Sequence, residues 1–266
     1  MTTGMHGLPV RAGSSTDTIH FCIAGVQKCG TSALFSYLRG HPQLQLAPEK
    51  EAHFFDNDAI PWARPDYNAY HRLFLNDGRL RGDATPIYVY WPPTLPRIYR
   101  YNPSMRLVLI YRCPIARAWS HWKMEYVAGR ETEPFAWAIR QGRARVQSGG
   151  ARGHHRVFSY VERGFYGEQL RRVLSLFPRE QLLFLRMQDL AAQPEKVLDA
   201  TCAFLGVEPL GELRTQRVHV SPDLPDHPNL EPADAEYLRA IFQDDQRAFR
   251  DLSGLELERE DSIQVG

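Results

Sequence analysis

The segment GVQKCGTSALFSYL, residues 25 to 38, sets Gly25 and Gly30 at the spacing of a phosphate-binding loop and carries Lys28 between them. Glycines at such positions let a backbone wrap an anion closely. The helix predicted to start near Thr31 turns free N–H groups and its positive dipole end toward the same point, and Thr31 and Ser32 add hydroxyl donors. A nucleoside-triphosphate loop places its lysine directly after the second glycine and a metal-binding hydroxyl next. Those two places hold Thr31 and Ser32 here, so a metal-bound triphosphate is disfavoured. Read without any ligand, the stretch is a turn into a helix with Cys29 as its small filler.

Two further groups join it. LVLIYR, residues 107 to 112, is an apolar strand ending in Arg112, where a Walker B strand would present an aspartate; a guanidinium there binds a second anion in a bidentate fork. Ser120 follows about two helical turns along the next helix. In PEKEAHFFD, Glu51 and His53 lie two residues apart, so an extended backbone turns both to one side, a carboxylate and an imidazole able to handle one proton. The alternatives are a surface arginine and a helix serine for Arg112 and Ser120, a salt bridge to an arginine for Glu51, and a satisfied buried histidine for His53.

Strands must hold these groups. Residues 20 to 26, 107 to 111 and 181 to 186 are short apolar runs, each followed by a helical pattern: residues 32 to 38, a helix opened by Pro114, and EKVLDATCAFLGV stopped near Gly206. The alternation predicts an α/β single domain with a P-loop-like, mostly parallel central sheet flanked by helices. Ligands on such sheets bind at the carboxyl ends of the strands, where both the glycine loop and Arg112 fall.

Of the 266 residues, 43% are hydrophobic and 24% charged, which predicts one globular domain over residues 19 to 266 behind a disordered tail of residues 1 to 18. No apolar run is long enough to span a bilayer and the first residues lack a secretory pattern, so a cytoplasmic protein with no integral membrane segment is expected. Net charge is +1, so any anion must be held by a local cluster rather than a global field, and no nucleic-acid partner is expected. Cys22, Cys29, Cys113 and Cys202 show no metal-ligand spacing, in keeping with a reducing compartment. Residues 129 to 163 hold seven arginines against three acidic residues and an SGGARG stretch, which predicts a mobile basic lid over 129 to 163, made of a helix over 135 to 145 and then a mobile loop.

Together GVQKCGTSALFSYLRGHP, EKEAHFFD, GDATPIYVYWPPTLPRI, LVLIYRCPIARAWSHW and LLFLRMQDLAAQPEKVLDATCAFLGV resemble the successive blocks of sulfotransferases that use 3'-phosphoadenosine 5'-phosphosulfate (PAPS), particularly the heparan-sulfate-type branch. The resemblance runs from about residue 20 to 207. It implies that the loop of Gln27, Lys28, Cys29, Gly30, Thr31 and Ser32 binds the 5'-phosphosulfate, that Arg112 and Ser120 hold the 3'-phosphate, and that Tyr166 lies near the nucleotide. Glu51 is implied as the base that deprotonates the acceptor, with His53 beside it. Lys28 would stabilise charge on the leaving oxygen, and no metal is implied. In GDATPIYVYW, Asp83 reads as a structural acid, Tyr88, Tyr90 and Trp91 as core or acceptor wall, and Trp119 and Trp122 as core.

The chain also departs from that branch. Heparan 3-O-sulfotransferases carry a basic residue where Ser32 stands and a lysine where Ala84 stands, so a heparan acceptor is disfavoured. The cysteine loop with its nucleotide contact is replaced by RTQRVHVSPDLPDHP, in which Arg214 or Arg217 is a candidate substitute. The expected reaction is sulfuryl transfer from PAPS to a hydroxyl of a small-molecule, glycolipid or carbohydrate acceptor, releasing 3'-phosphoadenosine 5'-phosphate (PAP). The competing readings are a kinase-like P-loop phosphotransferase and a non-catalytic anion- or nucleic-acid-binding module. The oligomeric state is left open.

Overall fold

The computed structural model describes residues 18–149, 154–211 and 230–258. In chain order the elements are β1 (Phe21–Gly25), α1 (Thr31–Arg39), β2 (Leu44–Leu46), α2 (Asn68–His71), β3 (Leu80–Ala84), α3 (Thr94–Tyr101), β4 (Arg106–Tyr111) and α4 (Pro114–Val127). They continue with α5 (Phe135–Ala138), α6 (Ala144–Gly149), α7 (Tyr166–Leu174), β5 (Leu182–Arg186), α8 (Met187–Ala192), α9 (Pro194–Leu205) and α10 (Pro232–Ser253). The five strands form one sheet in the order β2-β3-β1-β4-β5, and every neighbouring pair is parallel. The α/β single-domain expectation therefore holds, with the sheet wholly parallel among the described residues.

Both sheet faces are covered, as a parallel sheet requires. Alternation sorts the strand residues: Phe21, Ile23, Val108 and Ile110 pack with Leu34, Phe35 and Leu38 of α1 and Leu198 and Leu205 of α9. Cys22, Ala24, Leu107, Leu109 and Tyr111 face the opposite layer, with Ile98 of α3 and Leu170 and Val173 of α7. A third cluster joins α4 and α5 to α10, and the expected core pair Trp119 and Trp122 stacks there at 5.0 Å. Pro114 is the first residue of α4, and Gly206 caps α9 with φ 72°.

β3 is the strand that hydropathy hides. Its sequence is LRGDA, yet Arg81 and Asp83 are buried because each finds partners: Arg81 donates to the Leu75 carbonyl, and Asp83 accepts from Tyr70, Tyr88 and Thr85 at 2.8–3.0 Å. Asp83 is thus the structural acid it was read as. Gly82 lies opposite Phe21 across the β1–β3 ladder, and a Cβ there would stand 2.1 Å from the phenyl ring. Gly82→Ala is expected to cost about 1–3 kcal/mol, as overpacked cores do. A urea midpoint unchanged from that of the unsubstituted protein would show that the ring can step aside.

The helix expected over residues 135 to 145 is broken. α5 ends at Ala138, Arg140 leaves helical geometry at φ −109° and ψ −91°, and a 3-10 turn at Gln141–Arg143 leads into α6. Tertiary ion pairs override the local propensity: Arg140 reaches Asp234 of α10 at 2.5 Å, and Arg145 grips the buried Glu131 at 2.6 Å. The described arginines of the basic segment are paired within the fold. Arg130 meets Glu125, Arg143 meets Glu162, Arg156 meets Asp56, and Arg163 donates to Gln27. Arg152, most of the SGGARG stretch, the first 17 residues, Arg214 and Arg217 lie outside the described residues.

Candidate active site

The carboxyl ends of all five strands converge on one cavity of about 530 Å³, a size usual for small-ligand sites. The loop after β1 contributes Gln27, Lys28, Gly30, Thr31 and Ser32, the segment after β2 Lys50 and Glu51, and β3 is followed by Pro86. β4 delivers Arg112, and Met187 follows β5; α4 adds Ser120 and Met124, and α8 adds Leu190 and Ala191. The lining combines cations and hydroxyls (Lys28, Lys50, Arg112, Thr31, Ser32, Ser120) with apolar side chains (Met124, Met187, Leu190).

Gly30 is the N-cap of α1 at φ 88°, a left-handed conformation that glycine adopts freely. The first-turn N–H groups of α1 have no intrahelical acceptors, and no acidic side chain occupies that turn, so the end is open to an anion. Burial pulls the Lys28 ammonium below its ordinary value, and the Arg112 and Lys50 cations pull it further. Cations that repel one another in a partly desolvated cavity favour a bound anion. Arg112 donates to the Lys28 carbonyl at 3.3 Å and touches Met187 Sδ at 4.0 Å, and among the described residues no ion pair neutralises it.

Lys28, Glu51 and His53 are the non-glycine residues of positive φ among those described, at 69°, 68° and 49°. Such backbone costs about 1–3 kcal/mol per residue and persists where surrounding structure imposes it. Around Glu51 charges alternate: Lys50 Nζ lies 2.6 Å from Oε1, His53 Nε2 lies 3.3 Å from Oε2, and His53 Nδ1 lies 3.0 Å from Asp56 Oδ2. Burial alone would raise the Glu51 carboxyl, but His53 and Lys50 outweigh it and bring it down to about 2. Hydrogen bonds to Asp56 and Glu51 lift His53 to about 9 against the effect of burial. At neutral pH the pair is therefore carboxylate and imidazolium, and only the carboxylate can accept a proton.

Of the residues singled out in the sequence, Gln27, Lys28, Gly30, Thr31, Ser32, Glu51, Arg112 and Ser120 line the cavity. His53 stands beside it through Glu51. Cys29 and Tyr166 do not line it. Both are fully buried behind the loop, with Cys29 Sγ 3.7 Å from the Tyr166 hydroxyl and the tyrosine ring packed on Tyr111 and Phe249. Asp245 of α10 accepts the N–H groups of Gly167 and Glu168, which pins the start of α7 and turns Tyr166 inward. Burial raises the Cys29 thiol, so it is a packing residue. Tyr88 and Trp91 are core residues, the former bonded to Asp83 and the latter to Asp58.

Sequence reading passed over Lys50, Asp56, Arg156 and Arg163. Lys50 and Asp56 stood in the quoted block beside Glu51 and His53, and Asp56 at three residues from His53 was the available signal. Arg156 and Arg163 carried no local signal beyond the basic composition of their segment.

Residues 18–222 match the family model described as the sulfotransferase domain. Among curated proteins the chain is 30% identical over 207 residues to heparan sulfate glucosamine 3-O-sulfotransferase 6 of Mus musculus, covering 76% of this chain and 56% of the relative. It is 22% identical over 278 residues to the membrane-associated sulfotransferase kil1 of Dictyostelium discoideum, covering 75% of this chain and 59% of that protein. The chain thus spans little more than half the length of these relatives. Among solved structures, a sulfotransferase from Alicyclobacillus acidocaldarius superposes with TM-score 0.73 at 30% identity, over 90% of this chain and 96% of that one. Mouse sulfotransferase SULT7A1 complexed with PAP shares the fold at TM-score 0.54 and 15% identity, over 91% and 90% of the two chains.

Proposed function

From the premise that this chain belongs to the sulfotransferase family, we propose that it transfers a sulfuryl group from PAPS to a hydroxyl of a small-molecule, glycolipid or carbohydrate acceptor, releasing PAP. The observation that supports this reading most strongly is the meeting of Lys28, Glu51 and Arg112 at one cavity, the first two in left-handed backbone. The first-turn N–H groups of α1, with Thr31 and Ser32, would hold the 5'-phosphosulfate. Arg112 and Ser120 would hold the 3'-phosphate, and Met124, Met187 and Leu190 supply an apolar wall for the base.

The reaction is an in-line displacement at sulfur. Glu51 takes the proton of the acceptor hydroxyl as its oxygen attacks, and the bond from sulfur to the bridging oxygen of the 5'-phosphate breaks. Lys28 balances the charge that develops on that oxygen, which a pre-positioned cation does without reorganisation at the moment of reaction. Ala84, at the position of a lysine in the heparan 3-O enzymes, is fully buried, and its carbonyl accepts the Glu51 N–H. Together with Ser32 it leaves the approach to Glu51 less basic than a polyanionic glycan calls for, and an uncharged or weakly charged hydroxyl compound fits better.

An acceptor library incubated with PAPS and followed by mass spectrometry tests this, a gain of one SO₃ on a single compound class being the expected result. The same assay in EDTA is expected to run undiminished, because cationic side chains stand where a P-loop kinase would present its metal. Loss of turnover in EDTA, restored by magnesium, would favour the phosphotransferase reading.

A further inference from the structure

A second arginine system lies on the far side of the base, outside the donor cavity. Asp56 is fully buried and sits between two cations, His53 Nδ1 at 3.0 Å and Arg156 Nη1 at 2.5 Å, both on Oδ2. Arg156 also donates from Nη2 to the main-chain carbonyl of Asp56. Its guanidinium therefore fixes the side chain and the backbone of one residue at once, which a planar fork can do and a point charge cannot. The plane is itself braced, with its centre 4.6 Å from the Trp91 ring, and Trp91 donates to Asp58 at 3.0 Å. The Arg156 carbonyl accepts from Arg163 Nη2 at 2.7 Å, and the other arm of Arg163 holds the Gln27 side chain in the donor loop. A continuous hydrogen-bonded chain thus runs from the donor loop, through Arg163, Arg156, Asp56 and His53, to Glu51.

We propose that Arg156 is a positioning residue for the base: by gripping Asp56 at two points it holds His53, and through His53 the Glu51 carboxylate, toward the acceptor. The proposal rests on the reading of Glu51 as general base. The need for such a brace is visible in the backbone. Glu51 and His53 both occupy left-handed conformations that short-range preferences resist, so their orientation must be imposed by partners from elsewhere in the fold. Asp56 is the fully buried carboxylate of the series, and a buried carboxylate holds its charge only while it stays paired and hydrogen-bonded.

The test is a titration of the His53 imidazole by NMR in the full chain saturated with PAP. The charged groups that face His53 are Glu51 and Asp56, with Lys50 behind the first and Arg156 behind the second. In the unsubstituted protein the midpoint is expected well above that of free histidine, at about 9. If Arg156 positions Asp56, Arg156→Ala frees His53 from its carboxylates and the midpoint falls by about one pH unit or more toward the ordinary value of about 6.5. If Arg156 were only a neighbouring charge, its removal would relieve repulsion and the midpoint would rise. A raised or unmoved midpoint overturns the proposal. Arg156→Lys, which keeps the charge but not the fork, is expected to fall between the two and guards against misfolding of the alanine variant.

A kinetic measurement accompanies it, with water as acceptor and PAP release from PAPS as the signal. Arg156→Ala is expected to lower kcat by about tenfold or more with KM for PAPS within about twofold, the pattern of a misplaced base. Arg143→Ala, in the same basic segment but paired with Glu162, is expected to leave both unchanged. A rise in KM with kcat intact overturns the assignment. Failure of the unsubstituted protein to bind PAP would sink the sulfotransferase reading itself, whereas PAP binding with an unmoved His53 midpoint sinks this proposal alone.

Discussion

Glu51→Gln is expected to lower turnover by about 10²–10⁴-fold while the affinity for PAP stays within about twofold. The amide keeps the size of the side chain and can still meet Lys50 and His53, so the donor cavity should survive. What it lacks is a basic oxygen. His53 cannot replace it, because two carboxylates hold the imidazole protonated up to about 9. A carboxylate at about 2 is a weak base in the free protein, and the negative charge of a bound donor works in the direction of raising it. Steady-state kinetics with the identified acceptor and calorimetry with PAP measure the two halves of this prediction. If Glu51→Gln turns over normally and His53→Ala does not, the histidine is the base and the carboxylate only orients it.

Lys28→Ala and Arg112→Ala are each expected to weaken PAP binding by about 10–100-fold, the usual worth of a charge-assisted hydrogen bond to phosphate. The two losses should separate by ligand. Adenosine 5'-phosphate lacks the 3'-phosphate, so with it the Arg112→Ala deficit should vanish while the Lys28→Ala deficit remains. Arg112 also donates to the Lys28 carbonyl, so Arg112→Ala disturbs the loop to some degree. Arg112→Lys retains the charge and isolates the fork. Equal affinity of Arg112→Ala and the unsubstituted protein for both ligands would falsify the placement of the 3'-phosphate at Arg112.

The parts of the protein legible from residue order were those made by near neighbours. The loop from Gly25 to Ser32, the proline that opens α4 and the glycine that ends α9 are local devices. A turn needs particular residues at particular spacings, and they were on the page. β1, β4 and β5 were legible because strands buried on both faces read as apolar runs. β3 was not, since Arg81 and Asp83 are buried only by virtue of partners on other segments. Hydropathy scores a side chain alone and cannot see that its polar atoms will be satisfied.

The candidate site divides in the same way. Residue types named its candidate base and its cations, and the block around Glu51 even held Asp56. Folding chose the pairings. Arg156 meets Asp56 across 100 residues, and Tyr166 meets Cys29 across 137, which makes the tyrosine a support behind the loop. One arginine among seven in a basic segment differs from its neighbours only by where the packed chain carries it. Chemical identity is a property of the residue, whereas adjacency over such separations is set by the closure of the whole core, and no local preference encodes it.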